Sequence, residues 1–300
     1  MSIATPLRYP GGKSVMTTFL KNFITANNME NVCYAEPFAG GAGAALNLLI
    51  NRSVDRILIN DANIPVYSFW ESIVNHSEEF LYLFDNTPIS IEEWERQRNI
   101  FFNNDAQFSV ELGFATFYLN RCNRSGILKA GAIGGNSVEK QQQAKYKIDA
   151  RFNKESLRPK LEVITNLRDS ITISNLDAID FLEQCQNLNN EDKESLLIYL
   201  DPPYYVHGSE LYMNSYIHDD HQILANRLRA TTILKWILSY DNVDEIKDIY
   251  RDFDLYTFDL KYTVQTAKTG KELLTHSQNS VLPETREISR ATRSIPLIRI

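Results

Sequence analysis

The sequence predicts a doubly wound α/β fold with a mostly parallel sheet, interrupted by an inserted helical segment. Three observations carry this. Apolar strand-like runs alternate with helix-period segments toward both ends of the 300-residue chain. The first such run ends in a glycine turn that opens a helix, and a second strand follows it. Between these flanks, from about residue 71 to 120, the period is helical throughout.

Residues 32–36 read as a short strand. Gly40-Gly41-Ala42-Gly43 then opens a helix rich in Ala and Leu, to about residue 51, and residues 54–59 form the second strand, ending at Asn60-Asp61. The pattern breaks after Phe69. Phe80, Leu83, Trp94, Phe101, Phe114 and Phe117 are the apolar anchors of the helical stretch. A loose basic loop follows it, containing Asn120-Arg121-Cys122-Asn123-Arg124-Ser125-Gly126, Lys129 and the glycines at 131, 134 and 135. The α/β pattern resumes with a strand at 171–173, a helix from Asp177 and a strand at 196–200. Further strands are expected at 233–239, 255–260 and near Leu273-Leu274, with helices from about 219 and 243 between them. The expected division is therefore a domain formed by residues 1–70 and 165–300, with residues 71–164 inserted. Residues 284–300 carry no clear pattern and are compatible with an added edge strand.

With 43% apolar residues the chain has ample material for a core. No apolar run approaches the length of a membrane span, and the polar amino terminus lacks the apolar stretch of a secretory signal. Cys33, Cys122 and Cys185 are widely spaced, which suits reduced thiols in a cytoplasm and neither a disulfide scaffold nor a zinc site. The net charge of −7 is unevenly spread. Residues 121–160 hold ten Lys/Arg against three acids, a block of +7 in an otherwise acidic chain. Such a block suits a phosphate-facing segment, and equally a solvated loop when judged alone.

Asp201-Pro202-Pro203-Tyr204 is the most informative stretch. It stops an apolar strand with two prolines, fixing the backbone and removing its N–H donors. An acid, a rigid carbonyl and an aromatic at a strand end suit methylation of a planar amino nitrogen such as that of adenine. Asp201 would accept one amino hydrogen and the Pro202 carbonyl the other, drawing the nitrogen toward tetrahedral geometry, while Tyr204 offers a stacking face. A base held in a duplex must be flipped out to reach such a pocket.

Other motifs discriminate less. Glu36-Pro37-Phe38-Ala39-Gly40-Gly41 ends the first strand with a turn able to approach an anionic or nucleotide ligand. A dinucleotide fingerprint fails there, because its third glycine would fall at Leu46. Gly11-Gly12-Lys13-Ser14 imitates the end of a phosphate loop, but Leu7 stands where its first glycine belongs. His218-Asp219-Asp220-His221 reads as capping and surface residues at a helix start rather than a metal site. Asp177 is compatible with a helix cap or with binding an amino group. Ser239-Tyr240-Asp241-Asn242 reads as a turn or as pocket lining.

Taken together, Leu7-Arg8-Tyr9-Pro10-Gly11-Gly12-Lys13, Glu36 to Gly41, Asn120-Arg121, Asp177 and Asp201 to Tyr204 make the chain resemble Dam-type DNA adenine-N6 methyltransferases, in residue types and in order along nearly the whole chain. The resemblance implies a Rossmann-like methyltransferase fold with a seven-stranded sheet, S-adenosylmethionine as methyl donor, no metal, and double-stranded DNA as substrate for a monomer or weak dimer. It implies that Tyr9 and Lys13 border the donor, that Phe38, Gly40, Gly41 and Ala42 cradle it, that Asp61 meets its ribose and that Asp177 with Ala178 meets its adenine. Asp201, Pro202 and Tyr204 would hold the flipped adenine, with Asp201 also beside the donor. Arg8, Asn120, Arg121, Arg124 and Lys129 would face DNA, and residues 71–164 would be the target-recognition domain. The run Asn123 to Leu128 departs from the family's best-known members, so no recognised sequence follows. A cytosine-N4 enzyme would usually carry Ser at position 201. RNA or protein-glutamine methylation fits the basic insertion less well, and a nicotinamide oxidoreductase is the alternative from another class.

Overall fold

The computed structural model describes residues 5–8, 12–206, 216–262, 268–284, 287–290 and 293–300. The parallel part of the sheet is formed by β1 (Cys33–Glu36), β2 (Arg56–Asn60), β3 (Ile171–Ser174), β4 (Leu196–Leu200) and β5 (Lys235–Asp241). Beyond β5 the sheet turns antiparallel through β7 (Lys268–His276) and β6 (Tyr256–Tyr262). The tail forms a separate ribbon of β8 (Glu287–Arg290) and β9 (Arg293–Pro296), then returns as β10 (Ile298–Arg299) on the free edge of β6. The order is β10-β6-β7-β5-β4-β1-β2-β3. The extra edge strand makes eight where seven were expected.

The central strand β4 shows why the sheet is sandwiched. All five of its residues are buried, and successive side chains point to opposite faces. Leu197 and Tyr199 join one core, with Tyr34, Ile57 and Ile59. Leu196, Ile198 and Leu200 join the other, with Ala35, Leu224, Trp236 and Leu238. A strand covered on both sides reads as a continuous apolar run.

The insertion shares the first of these cores. Helices Ile64–Asn75, Ser77–Asn86, Ile91–Phe102, Val110–Cys122 and Lys154–Asn166 enclose Phe69, Phe80, Phe84, Phe114, Phe117 and Phe152. Phe69 stacks on Phe117 with centroids 5.7 Å apart, and Phe80 meets both rings edge to face. Of the anchors expected from sequence, Leu83 is only half-buried and Phe84 fills the core position beside it. Gly113 sets the approach of two helices, since a Cβ there would lie 2.4 Å from the Ser68 carbonyl oxygen. The expected boundaries at 70/71 and 164/165 fall inside the helices Ile64–Asn75 and Lys154–Asn166, so the insertion leaves and rejoins the sheet as continuous helix.

Candidate active site

The residues singled out on the parallel strands gather at one edge of the sheet. Asp177 follows β3, Asp61 follows β2, Phe38 and Gly40 follow β1, Asp201 follows β4 and Asp241 ends β5. The strand order puts these carboxyl ends side by side. Connections run one way from β1 to β2 and β3, and the other way through β4 and β5. The crevice between β1 and β4 is therefore the topological switch point, where open α/β sheets bind ligands.

On the β1–β2–β3 side the loops are locked from beneath by Asn60. Its Nδ2 donates to the carbonyls of Pro37 and Leu176, and its Oδ1 accepts from Leu176 N and Ser174 Oγ. Asp61 accepts from Gly40 N at 2.8 Å on one oxygen and from Asn63 N at 2.9 Å on the other. Burial pushes its pKa up to about 6, against these two bonds. The Gly40 carbonyl accepts from Trp70 Nε1, which ties the turn to the helical insertion. Gly40 and Ala42 both have left-handed backbone, φ 47° and 44°, and for Ala42 this costs about 1–2 kcal/mol. Gly41 is buried between them. Glu36, fully enclosed, accepts from Tyr34 OH and Ala45 N, and burial raises its pKa to about 8. Asp177 is exposed and caps the following helix through Ile179 N, with Ala178 buried behind it.

On the β4–β5 side the centre is a buried charged cluster. Lys13 Nζ lies 2.8 Å from Asp201 Oδ1 and 3.6 Å from Glu272 Oε2, and donates to Tyr204 OH at 3.0 Å. Tyr204 OH donates to Glu272 Oε1 at 2.7 Å. Ser239 Oγ donates to the same Oδ1 of Asp201 and is 2.7 Å from Tyr199 OH. Both donors to Asp201 among the described residues thus converge on Oδ1, leaving Oδ2 as an acceptor. Burial raises the pKa of Asp201, while Lys13 and Ser239 pull it down. Burial also works against the charged form of Lys13, yet Asp201 and Glu272 raise its pKa well above the usual lysine value. Glu272 is pushed up to about 7, by burial first, with Lys13 opposing. Asp241 accepts from Tyr205 N and Val206 N, fixing the chain that follows Tyr204. Pro202 is buried at the start of this turn.

Beside the cluster stand Phe38, Tyr205, Tyr216, His221 and Tyr240. Tyr216 meets Phe38 edge to face at 5.7 Å. His221, expected on the surface, is fully buried among these rings, with Nδ1 2.7 Å from Tyr240 OH. Burial lowers its pKa to about 4, so the ring is neutral. His218 at the helix start pairs with Tyr205 OH instead.

The candidate DNA contacts divide. Arg124 and Lys129 are exposed. Asn120 is buried, and its amide is spent on protein backbone: Oδ1 accepts from Arg8 N, and Nδ2 donates to the carbonyls of Arg8 and Gly126. Arg121 donates to the carbonyls of Arg151 and Pro6, and burial with Arg8 nearby lowers its pKa to about 10. Arg8 donates to the Asn123 carbonyl. These three polar residues clamp the amino-terminal segment onto the insertion. The basic loop itself is built around amides: Asn123 donates to the carbonyls of Ile127 and Leu128, and Gln141 to those of Ile133 and Gly135. It is an internally bonded loop where the sequence suggested a loose one. Gly126 sits at φ 76°, and a Cβ there would be 2.2 Å from the Arg8 carbonyl oxygen.

Sequence reasoning passed over Glu272, the one acid in the largely polar strand β7, and the exposed run Lys145-Tyr146-Lys147, a candidate contact in which two charges flank an aromatic. Tyr9 lies outside the described residues. A family model described as D12 class N6 adenine-specific DNA methyltransferase matches residues 9–264. A search of curated proteins returns no match.

Proposed function

We propose, from the premise that this chain belongs to the D12 class N6 adenine-specific DNA methyltransferase family, that its chemistry is done at the crevice between β1 and β4. The chain methylates the N6 amino group of adenine in DNA, with S-adenosylmethionine as donor. The donor supplies an electrophilic methyl on a sulfonium, and the carbon–sulfur electron pair stays with sulfur. No metal is called for by this chemistry.

The β1–β2–β3 loops suit the donor. Asp61 uses one lone pair of each oxygen on a backbone N–H and retains acceptor capacity for ribose hydroxyls. Gly40, Gly41 and Ala42 form a turn at a helix start, with Gly40 and Ala42 in left-handed backbone and Phe38 beside it. Lys13, Asp177, Ala178 and Tyr9, the last outside the described residues, complete our assignment of the donor site.

The single observation that carries the catalytic reading is the arrangement at Asp201. Its Oδ1 is held by Lys13 and Ser239, and no donor among the described residues takes its Oδ2, which is left to accept a hydrogen. In this reading Oδ2 accepts one amino hydrogen of a flipped adenine and the Pro202 carbonyl accepts the other. The nitrogen lone pair then turns out of the ring plane toward the methyl. As the nitrogen gains the methyl it gives one proton to Oδ2. Tyr204, its hydroxyl anchored at both ends, offers its ring to the base. Rate comes from orientation and fixed charge, without a covalent enzyme intermediate.

We assign residues 71–164 to target recognition, with Arg124, Lys129 and the Lys145-Tyr146-Lys147 run facing DNA, and Asn120, Arg121 and Arg8 shaping the surface beneath. The enzyme is proposed to act as a monomer or weak dimer in the cytoplasm. The test is Asp201→Ala, assayed for methyl transfer to DNA and separately for donor binding. Transfer is expected to vanish while donor binding remains measurable. Turnover above a tenth of wild type would defeat the role.

A further inference from the structure

Glu272 belongs to no motif, yet it lies at the centre of the charged cluster. It sits on β7 opposite Asp241 of β5 and Phe258 of β6, and it is wholly buried. Its Oε1 accepts from Tyr204 OH, and among the described residues its Oε2 accepts no hydrogen bond, lying 3.6 Å from Lys13 Nζ. The groups facing it are Lys13 from the amino-terminal 3-10 turn, Asp201 and Tyr204 from the end of β4, and Asp241 from β5. A buried acid costs free energy unless paired, and here one ammonium is shared between two carboxylates. A glutamine would accept the Tyr204 hydroxyl as well, so hydrogen-bond shape alone does not account for an acid.

We propose that Glu272 is a positioning residue for methyl transfer: through Lys13 and the Tyr204 hydroxyl it fixes the Asp201 carboxylate and gives the cluster its net negative charge. The inference rests on reading Asp201 as the acceptor of the target amino hydrogen. The geometry supports two effects. Lys13 is held between Glu272 and Asp201, so its bond to Oδ1 is fixed and Oδ2 is left for the substrate. Tyr204 accepts from Lys13 and donates to Glu272, which sets the plane of its ring. With Glu272 ionised, two carboxylates face one ammonium, and the cluster is net negative beside a nitrogen that becomes positive as it is methylated. Protonation of Glu272 removes that charge. Burial places this change near neutrality, since its pKa is about 7.

The test compares wild type, Glu272→Gln, Glu272→Asp and Asp201→Ala in single-turnover methyl transfer to DNA across a pH series, with donor affinity and melting temperature measured on each. Glu272→Gln is expected to slow transfer about 10-fold or more. Donor affinity should stay within about threefold. The wild-type rate should fall below pH about 7 as Glu272 takes up a proton, and this acid limb should be missing in the Gln variant. Glu272→Asp keeps the charge and should keep an acid limb at reduced rate. A Gln variant with the wild-type rate and acid limb would overturn the proposal. So would losses of rate, donor affinity and melting temperature in proportion with the limb intact, and so would an Asp variant without the limb. If Asp201→Ala is inactive while the Gln variant behaves as wild type, the Glu272 role alone fails. If Asp201→Ala retains turnover, the reading of Asp201 fails first.

Discussion

Replacing Lys13 with methionine removes the cation that touches both buried carboxylates of the site while keeping most of the side-chain volume. The lysine side chain is 4% exposed, and its partners Asp201 and Glu272 are 19% and 0% exposed. Removing one partner of a buried pair typically costs about 3–5 kcal/mol, because the remaining charge is left without its counter-ion. At about 2–4 °C per kcal/mol for a chain of this size class, the melting temperature should fall by roughly 10 °C. The carboxylates escape the cost by taking up protons. Lys13 holds down the pKa of both Asp201 and Glu272, so both rise when it is lost. Asp201 protonated is a poorer acceptor for an amino hydrogen. Hydrogen bonds to charged groups are worth about 1.5–3 kcal/mol, which converts to roughly a 10- to 150-fold slower transfer near neutral pH. The distinguishing feature is recovery: raising the pH re-ionises the carboxylates, so the rate of the Met variant should climb as pH rises above neutrality, where wild type is flat. Methyl incorporation into duplex DNA over a pH series, with a thermal melt at each pH, makes the measurement. A Met variant within threefold of wild type at neutral pH, with an unchanged acid limb and melting temperature, would refute the reasoning.

Two further outcomes follow from the surface and the core. Arg124→Ala with Lys129→Ala is expected to weaken DNA binding and to lower the slope of log affinity against log salt by about 1.8, the value for two phosphate contacts; an unchanged slope removes both from the interface. Stability should fall as pH rises from about 5 to 8. Glu36, Asp61 and Glu272 have folded-state pKa values raised by burial to about 8, 6 and 7. The folded chain therefore holds protons that the unfolded chain has lost, and the stability they contribute is complete below the ordinary carboxylate range and is lost as pH passes the raised values. At about 1.4 kcal/mol per pH unit, the loss summed over the three acids should be on the order of 10 kcal/mol. Glu36→Gln should flatten the upper part of the slope, as read by denaturant unfolding at several pH values. A flat profile in wild type would mean the acids are not enclosed as described.

The sequence by itself laid out the alternation of strands and helices as far as β7 and pointed to the candidate site. The run at 196–200 is apolar on every residue because β4 is covered on both faces, and the two prolines after Asp201 end it where the crevice begins. Glycines and an acid at the ends of β1 and β2 carry their meaning locally, since backbone conformation and strand termination depend on near neighbours. Tertiary structure alone decided what the polar side chains do. Lys13 and Tyr204 are 191 positions apart in sequence, and nothing in either neighbourhood marks them as partners. Asn120 and Arg121 read as DNA contacts from their place in a motif, but the fold turns their donors inward onto Arg8, Gly126, Pro6 and Arg151. Glu272 has no local signal in the sequence; only β7, laid between β5 and β6, seals it against Lys13. The physical reason is common to all of these: whether a charge is solvated or buried depends on which distant segment covers it, and that is a property of packing rather than of local pattern.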